Sequence, residues 1–347
     1  MRKGRGATRN PTNRYSDYHA HSEDDGWGNL EAPLERLPTR LLVDRARGVI
    51  SRNRSPDVPF EQSINPYRGC EHGCVYCFAR PTHAWLGHSP GLDFETLIYH
   101  KPDAPRRLRE ELARPGYRCS PIALGINTDA YQPVERRTGL TRALIEVLLE
   151  ARHPFTVVTK SALVERDLDL LSEAARMNLV HVMFSIPTLD DGLARRMEPR
   201  AARPARRLQA LATVVAAGVP AGVLVAPVVP VLTDAELERI LEAARERGAG
   251  AAGYVLLRLP LELKELVEDW LAHHYPQRKD RILNRLREAH GGTLYQAAFG
   301  QRMRGEGAWA QMLAQRFRLA VRRLGFPGLP SLDCSRFQPP GGQLKLF

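Results

Sequence analysis

The sequence predicts an α/β fold in which short buried strands alternate with amphipathic helices. Three observations support this prediction: the length of the chain, its composition, and two alternating hydrophobic patterns. The chain has 347 residues, of which 43% are hydrophobic and 26% charged, as expected for one folded unit of barrel size. No apolar run approaches the roughly 18 residues of a membrane-spanning helix. The basic N-terminal residues lack the apolar core of a secretory signal, so we expect a cytoplasmic protein without a membrane partner.

Residues 1–60 and residues 61–260 differ in composition. Residues 1–60 are rich in Arg, Asn, Asp, Gly and Pro without sustained periodicity, which predicts an irregular and mobile N-terminal arm. Residues 61–260 contain six short apolar or β-branched runs that predict strands. These runs are INPY from residue 64, IALGI from 122, FTVVT from 155, VHVMFSI from 180, AGVLVAPVV from 221 and GYVLLRL from 253.

The segments between these runs have apolar residues at helical spacing and predict helices. Thr233 followed by Glu236 is typical of a capping box, and Gly218 and Gly248 stand where a helix end favours a residue of positive φ. Strands that alternate with helices, and that are apolar enough to be covered on both faces, predict parallel βα units. An α/β barrel and a doubly wound sheet both satisfy this pattern, and periodicity does not choose between them.

After residue 260 the pattern changes to helices alone, which predicts a helical extension over residues 261–330. Residues 331–347 contain Pro-Pro-Gly-Gly and predict an extended tail. Residues 271–347 hold 13 Lys and Arg but 4 Asp and Glu, so most of the formal net charge of +11 lies there. Clustered positive charge is typical of a polyanion-binding surface, so we expect nucleic acid to contact these basic helices. The arginines concerned include Arg302, Arg304, Arg316, Arg318, Arg322 and Arg323.

Three of the five cysteines fall within eight residues, in the segment NPYRGCEHGCVYCFAR. Cys70, Cys74 and Cys77 form a CxxxCxxC array directly after the first predicted strand. An odd number of cysteines, clustered in this way, favours a metal or redox site over disulfides. Three thiolates can hold a [4Fe–4S] cluster and leave one iron without a protein ligand. Zinc is the alternative, with His72 or His83 as a fourth ligand.

The CxxxCxxC array, with Tyr76 just before its third cysteine, resembles the radical S-adenosylmethionine (SAM) superfamily. The resemblance implies a [4Fe–4S] cluster, SAM bound at its open iron, and reductive cleavage to methionine and a 5′-deoxyadenosyl radical. It also implies a partial (β/α)6 TIM-like barrel, which fits the six predicted strands and selects between the two architectures. The segments GINTDAYQP, VTKSALVERD and SIPTLDDGLARRMEPR look like uncharacterised bacterial members related to spore photoproduct lyase.

The same resemblance implies a cofactor site at the ends of the predicted strands. A carboxylate favours a fixed cation and a ribose favours a hydroxyl or carboxylate partner, and side chains of both kinds occur there. Thr128 and Asp129 are expected at the amino-acid group of SAM, with Lys160 at its carboxylate. The other residues implied at the cofactor are Tyr76, Phe78, Ser185, Glu198 and Arg200.

Two departures from that family bear on the substrate. The repair lyase has a cysteine hydrogen donor at the end of its second strand, where this chain has Ile126. It also has a tyrosine after its third cluster cysteine, where this chain has Phe78, which carries no hydroxyl hydrogen. Cys119 precedes the second strand, so we expect a small buried residue at the bottom of the barrel. Cys334 on the tail is either an ordinary thiol or a hydrogen donor brought over the barrel mouth.

Two partners follow from these features. The last residues, QLKLF, resemble the QLxLF peptide by which polymerases and repair proteins bind the bacterial DNA sliding clamp; the residues concerned are Gln343, Leu344, Leu346 and Phe347. A cluster of low potential also needs a one-electron donor of the flavodoxin or ferredoxin type. We therefore expect a radical enzyme that acts on DNA or another nucleic acid. The alternatives are a radical enzyme with a small-molecule or protein substrate, and a non-enzymatic adaptor that holds a cluster or zinc on DNA.

Overall fold

The computed structural model describes residues 4–15 and 37–341, in which ten strands form one sheet of seven and one of three. Within these residues no helix is long and apolar enough to cross a membrane. The strands are β1 Arg40–Val43, β2 Ile50–Arg52, β3 Gln62–Ile64, β4 Tyr67–Arg68, β5 Leu97–His100, β6 Ile122–Leu124, β7 Phe155–Thr159, β8 Val180–Ser185, β9 Ala221–Val228 and β10 Ala251–Leu256.

Helices follow the strands and cover the outer side of the larger sheet. The α-helices of the described residues are α1 Asp93–Thr96, α2 Ala104–Leu112, α3 Glu135–Thr138, α4 Leu140–Glu150, α5 Leu168–Arg176, α6 Asp191–Met197, α7 Pro204–Ala216, α8 Leu237–Glu246, α9 Leu263–His274, α10 Pro276–Ala289 and α11 Gly307–Leu324. Short 3₁₀ helices lie at Arg80–Leu86, Ala162–Asp167 and Asp234–Glu236.

The seven-stranded sheet has the order β10-β9-β8-β7-β6-β3-β2 and is parallel except for the β2–β3 pair. Its outer strands, β2 and β10, do not pair with each other, so the sheet is open. The prediction of an α/β fold with six parallel strands in a partial barrel is confirmed. We call the C-terminal ends of the six parallel strands, with the loops that follow them, the mouth, and their N-terminal ends the base. Barrel enzymes hold their reactive groups at the mouth.

The predicted strands match the observed ones except at the first. In INPY, Ile64 ends β3 and Tyr67 begins β4, which pairs with β5 in the small sheet. Pro66 separates them because it has no amide hydrogen to donate to a ladder. The helix-ending glycines are confirmed: Gly218 and Gly248 have φ of +78° and +88°.

The predicted capping box is wrong. The Thr233 hydroxyl accepts a hydrogen bond from the amide of Val229 at 2.8 Å and caps no helix. The Glu236 carboxylate accepts a hydrogen bond from the Thr188 hydroxyl at 2.6 Å. The Thr233 hydroxyl therefore closes its own loop, whereas Glu236 joins that loop to the one after β8, and neither use leaves a mark in the sequence.

The described part of the N-terminal arm is packed against the cysteine loop, which we define as residues 69–80. The amide of Gly6 donates to the Glu95 carboxylate at 3.0 Å, and the Arg5 guanidinium donates to the Glu95 carbonyl oxygen at 2.7 Å. A Cβ atom on Gly6 would lie 1.8 Å from the carbonyl oxygen of Gly73. Residues 4–15 of the arm are irregular but fixed by these buried contacts, and the predicted irregular region also contains the strands β1 and β2.

The helical extension is present as α9, α10 and α11, and the chain then crosses the base. The aromatic ring of Phe337 packs 5.4 Å from Tyr117 and 5.3 Å from His153, centre to centre. Three backbone hydrogen bonds add to this contact, and each acceptor lies within a few residues before a parallel strand. They run from Gly328, Asp333 and Gln338 to the carbonyl oxygens of Gly250, Asn178 and Ala151, at 2.8, 2.9 and 2.9 Å.

Candidate active site

The cysteine loop leaves the sheet at the mouth and winds through tight turns. The amide of Gly73 donates to the Cys70 carbonyl oxygen at 3.3 Å, and the amide of Cys77 donates to that of Cys74 at 3.2 Å. Gly69 and Gly73 have φ of +78° and +68°, a region that residues with a Cβ rarely adopt. Cys70 and Cys74 are buried and Cys77 is half-buried. The three predicted cluster ligands therefore lie in one compact loop.

The electrostatics of these thiols suit a cationic ligand. Burial, followed by the nearby Glu198 carboxylate, raises the pKa of Cys74 to about 12. Burial also raises the pKa of Cys70 well above its ordinary value, and the charge of Asp129 adds to this. Thiolates in this loop therefore need compensating positive charge. A metal centre provides this charge, and the thiols that it binds are deprotonated.

One ring nitrogen of each histidine near the loop already has a protein partner. His72 Nδ1 lies 3.3 Å from a carboxylate oxygen of Asp129, and His83 Nε2 lies 3.0 Å from the carbonyl oxygen of Leu97. A zinc ion requires its ligands within about 2.3 Å. Across residues 4–15 and 37–341, no three His, Cys, Asp or Glu side chains converge closely enough to hold a single ion. A four-iron cluster is wider than one ion and takes ligands that lie further apart.

Two buried side chains hold the cysteine loop in place. The Gln132 amide donates to the carbonyl oxygen of Gly69 at 3.1 Å, and its own carbonyl oxygen accepts from the amide of Glu71 at 2.9 Å. The Glu71 carboxylate pairs with Arg200 at 3.1 Å. Arg200 thus lies against the cysteine loop, and its contact with the cofactor stays a prediction. Glu71 was missed, although an acidic residue directly after a cluster cysteine was a visible signal.

The Asp129 carboxylate lies beyond the end of β6 and is surrounded by donors. One oxygen accepts from the Thr159 hydroxyl at 2.8 Å and the Tyr131 amide at 2.9 Å. The other accepts from the Lys160 amide at 2.7 Å and faces His72. Burial alone would raise the pKa of Asp129, but His72 and the Lys160 amide lower it to about 2. The ionised carboxylate ties β6, β7 and the cysteine loop together, and a cofactor amino group would join contacts already made.

Lys160 is a half-buried cation at the end of β7. Its Nζ lies 5.9 Å from the centre of the Tyr76 ring. Burial opposes its charge, but Cys74, Glu198 and Asp129 together raise the pKa of Lys160 above its ordinary value. No carboxylate of the described residues forms an ion pair with it. The ammonium group is therefore charged and available to an anionic ligand, as the predicted carboxylate contact requires.

A buried polar network joins the predicted ribose side of the site. The Tyr76 hydroxyl donates to one oxygen of Glu198, and the Arg207 guanidinium donates to the other. Arg207 also donates to the Ser185 carbonyl oxygen at 2.8 Å, and the Ser185 hydroxyl donates to a carbonyl oxygen of β9 at 2.9 Å. The Thr128 hydroxyl is bound in the same way by a carbonyl oxygen of β4 at 2.8 Å. The structure brings Tyr76, Ser185 and Glu198 together, but their polar groups already have protein partners.

The structure does not support Cys334 as a hydrogen donor. Cys334 lies in the tail at the base, where its thiol is next to that of Cys119, just before β6. Burial and the neighbouring Cys334 raise the pKa of Cys119 to about 12. The cysteine loop is at the mouth, so the length of the parallel strands separates it from Cys334. The expectation that Cys119 lies at the bottom is confirmed, although its side chain is half-buried and not fully enclosed.

Most arginines of the predicted nucleic-acid surface are engaged within the chain. Arg318 and Arg322 on α11 are exposed and form no ion pair with another described residue. The others pair with carboxylates or lie on a ring: Arg302 with Asp57, Arg316 with Glu238, Arg323 with Glu242, and Arg304 over Tyr254. The predicted clamp-binding residues, Gln343 to Phe347, lie outside the described residues.

The family model of the radical SAM superfamily matches residues 64–244, from the end of β3 to the last turn of α8. The chain belongs to the radical SAM superfamily. Membership makes this protein an enzyme and implies an iron–sulfur cluster together with SAM. The cysteine loop lies within the matched region, so the three thiols are the residues that fit such a cluster.

Two similar proteins are uncharacterised. One from Mycobacterium tuberculosis strain H37Rv is 39% identical over 235 residues, which cover 67% of this radical SAM enzyme and 67% of that protein. One from Methanocaldococcus jannaschii is 26% identical over 245 residues, which cover 71% of this chain and 87% of that protein. These relatives assign no substrate.

Solved structures of spore photoproduct lyase share the fold. The complex of that lyase with dinucleoside spore photoproduct has a TM-score of 0.56 and 18% identity, covering 83% of this chain and 80% of that one. A variant with bound AdoMet and the same dinucleoside has a TM-score of 0.58 and 16% identity, covering 85% and 86%. At this identity the likeness establishes the common architecture of the two enzymes.

Proposed function

We propose that this radical SAM enzyme carries a [4Fe–4S] cluster on Cys70, Cys74 and Cys77 and acts on DNA or another nucleic acid. The observation that carries the first part is the placement of three thiols in one mouth loop, near a Lys160 ammonium that pairs with no carboxylate in residues 4–15 or 37–341. When bound, the cluster supplies one electron to SAM, which is cleaved to methionine and a 5′-deoxyadenosyl radical. An electron donor of the flavodoxin or ferredoxin type would provide that electron.

The chain's own residues bind and orient the cosubstrate. Lys160 offers a fixed cation to its carboxylate, since no carboxylate of the described residues pairs with the ammonium group. Asp129 is ionised at neutral pH and fixes the backbone at Lys160, while its charge attracts the amino group. Glu198, held by Tyr76 and Arg207, gives the ribose side of the site a rigid wall.

Two features support a nucleic-acid substrate. Residues 271–347 carry most of the net positive charge, and Arg318 and Arg322 remain exposed. The solved structures with the same architecture include a lyase in complex with a dinucleoside. Phe78 and Ile126 stand where that family has a tyrosine and a cysteine, so we propose a repair or modification reaction that differs from photoproduct reversal.

The terminal QLKLF sequence supports recruitment to DNA through the sliding clamp. Two leucines and a phenylalanine after a Pro-Pro-Gly-Gly segment suit capture in a preformed groove. Such recruitment would raise the local concentration of substrate without any contact at the mouth.

The cluster assignment is tested with single cysteine variants reconstituted anaerobically. Cys74→Ala should lose the cluster absorbance and the reduction-dependent formation of 5′-deoxyadenosine from SAM. Cys119→Ala is the matched control, because it removes a thiol at the base, and it should retain both. A wild-type protein that takes up zinc instead of iron, or a Cys74→Ala variant that still cleaves SAM, would show that the assignment is wrong.

A further inference from the structure

Arg258 is a cation at the mouth that no predicted role includes. It lies two residues beyond the end of β10, the last parallel strand. Its guanidinium carbon is 4.3 Å above the centre of the Phe78 ring. Phe78 directly follows the cluster cysteine Cys77, so Arg258 borders the cysteine loop from the opposite edge of the open sheet.

The Arg258 side chain has no fixed anionic partner. It is half-buried, and it forms no ion pair with any carboxylate of residues 4–15 and 37–341. Asp57, the carboxylate whose charge acts on Arg258, is already paired with Arg302 at 2.5 Å and accepts from the Gly300 amide at 2.6 Å. Burial lowers the pKa of Arg258, and the opposing influence of Tyr295 and Cys77 does not offset it. A partly desolvated guanidinium without a counter-ion is energetically unfavourable until an anion binds.

Stacking on Phe78 leaves the hydrogen-bonding capacity of Arg258 intact. A guanidinium that lies over an aromatic ring uses its face, while its five N–H donors lie in its plane. Those donors form a rigid fork that matches two oxygens of one phosphate. The ring also limits the orientations of the side chain, so less conformational entropy is lost when an anion binds.

We propose that Arg258 binds a phosphate group of a nucleic-acid substrate at the mouth, next to the cysteine loop. This inference rests on the proposed function and deepens it by naming the residue and the group that meet. A phosphodiester held there places the adjoining nucleoside beside the site of SAM. Arg258 is therefore a substrate-binding residue that selects for a nucleotide over an uncharged molecule.

The test measures binding of a fluorescently labelled single-stranded oligonucleotide to the anaerobically reconstituted protein over a range of salt concentrations. Arg258→Ala should weaken binding about tenfold at low salt and reduce the slope of log K against log[salt] by roughly 0.7 to 1. Arg258→Lys keeps the charge but loses the fork, so it should keep the slope and lose part of the affinity. Arg176→Ala removes an exposed charge at the end of α5 near the base and should bind as the wild type does.

The outcomes separate this inference from the function on which it rests. A wild type that does not bind the oligonucleotide overturns both. A wild type that binds, with an Arg258→Ala variant of equal affinity and slope, overturns the inference alone. The midpoint potential of the cluster, measured by redox titration, provides a second readout. A shifted potential with unchanged binding would mean that Arg258 acts on the cluster, which also overturns the inference.

Discussion

Lys160 is the residue whose charge the cofactor site depends on most directly. Its ammonium group is held charged by three nearby acidic groups but is paired with none of the described carboxylates. We expect Lys160→Met to weaken SAM binding roughly 10- to 100-fold, since a hydrogen bond to a charged group contributes about 1.5–3 kcal/mol. The dissociation constant is measured by anaerobic calorimetry on the reconstituted protein.

The controls for this substitution distinguish charge from fold. Lys160→Arg keeps the cation and should recover part of the affinity. Lys264→Met removes an exposed lysine on α9 and should leave SAM binding unchanged. Equal affinity in Lys160→Met and the wild type, with equal iron content, would refute the assignment of Lys160 to the carboxylate.

His153 at the base makes the stability of the fold depend on pH. Its ring is fully buried, with Nε2 2.8 Å from the Tyr117 hydroxyl, and burial lowers its pKa to about 4. In the unfolded chain the pKa is about 6.5, so the unfolded state binds a proton first as the pH falls. The contribution of His153 is complete above pH 6.5 and is lost between pH 6.5 and 4. The free energy of unfolding therefore falls by about 3 kcal/mol over this pH range on account of His153.

The pH dependence of His153 is measured by urea unfolding at a series of pH values. His153→Gln should be less stable than the wild type at pH 7, because it disturbs the packing with Tyr117 and Phe337. Its free energy of unfolding should nevertheless fall less steeply from pH 6.5 to 4. Replacement of the exposed His273 by Gln is the control and should keep the wild-type slope. A His153→Gln slope equal to that of the wild type would contradict the prediction.

Sequence reasoning identified the site residues whose chemistry is unusual, and it missed those that support them. Three clustered cysteines and a lysine at a strand end stand out by type and spacing. Arg207 lies on an amphipathic helix among other arginines, and nothing in the sequence marks it as the one that pairs with Glu198. Arg258 lies within the apolar run GYVLLRL, and nothing there marks it as a binding residue. Its stacking on Phe78 depends on two distant segments that meet only in the fold.

At the scale of elements, periodicity predicted regular structure well and irregular contacts poorly. FTVVT coincides with β7, and helices occur between the strands from β6 to β10, as the apolar spacing of those segments predicted. The N-terminal arm has no periodicity, so it was expected to be mobile. Its residues Gly6 and Ala7 are fixed by Glu95, whose carboxylate accepts hydrogen bonds from their amides. Such pairings between distant residues leave no local pattern in the sequence.

The contact between the N-terminal arm and the cysteine loop should protect the cluster. Gly6→Ala would place a Cβ atom where the Gly73 carbonyl oxygen lies, and this overlap between two backbones has no flexible side chain to absorb it. Overpacking of this kind costs about 1–3 kcal/mol and should displace the arm. We expect the variant to lose iron to a chelator several times faster than the wild type. The rate is followed by the decay of cluster absorbance.

Gly48→Ala is the matched control for this substitution. Its added Cβ would lie 3.4 Å from a carboxylate oxygen of Glu111, an ordinary contact that the side chain can accommodate. The control should release iron at the wild-type rate. If Gly6→Ala does so as well, the arm does not protect the cluster and its packing is purely structural.

The two ends of the parallel strands carry different parts of the chain. The cysteine loop, Lys160 and Arg258 are at the mouth, whereas the tail crosses the base as far as residue 341. The longest strand, β9, has eight residues and so spans about 26 Å between the two ends. This arrangement follows from the direction of parallel strands and could be predicted once the barrel was recognised. The path of the tail could not, because it depends on a few backbone hydrogen bonds and the ring of Phe337.

This separation predicts that clamp binding and catalysis are independent. A chain that lacks residues 343–347 should lose binding to the purified sliding clamp, since the two leucines and the phenylalanine supply the anchors. The same truncation should leave reductive SAM cleavage and the affinity for free oligonucleotide unchanged, because no group at the mouth is altered. Binding is measured by surface plasmon resonance and cleavage by the yield of 5′-deoxyadenosine. Equal clamp binding by the full and truncated chains would refute recruitment through the tail, and a loss of SAM cleavage on truncation would show that the two ends of the barrel are coupled.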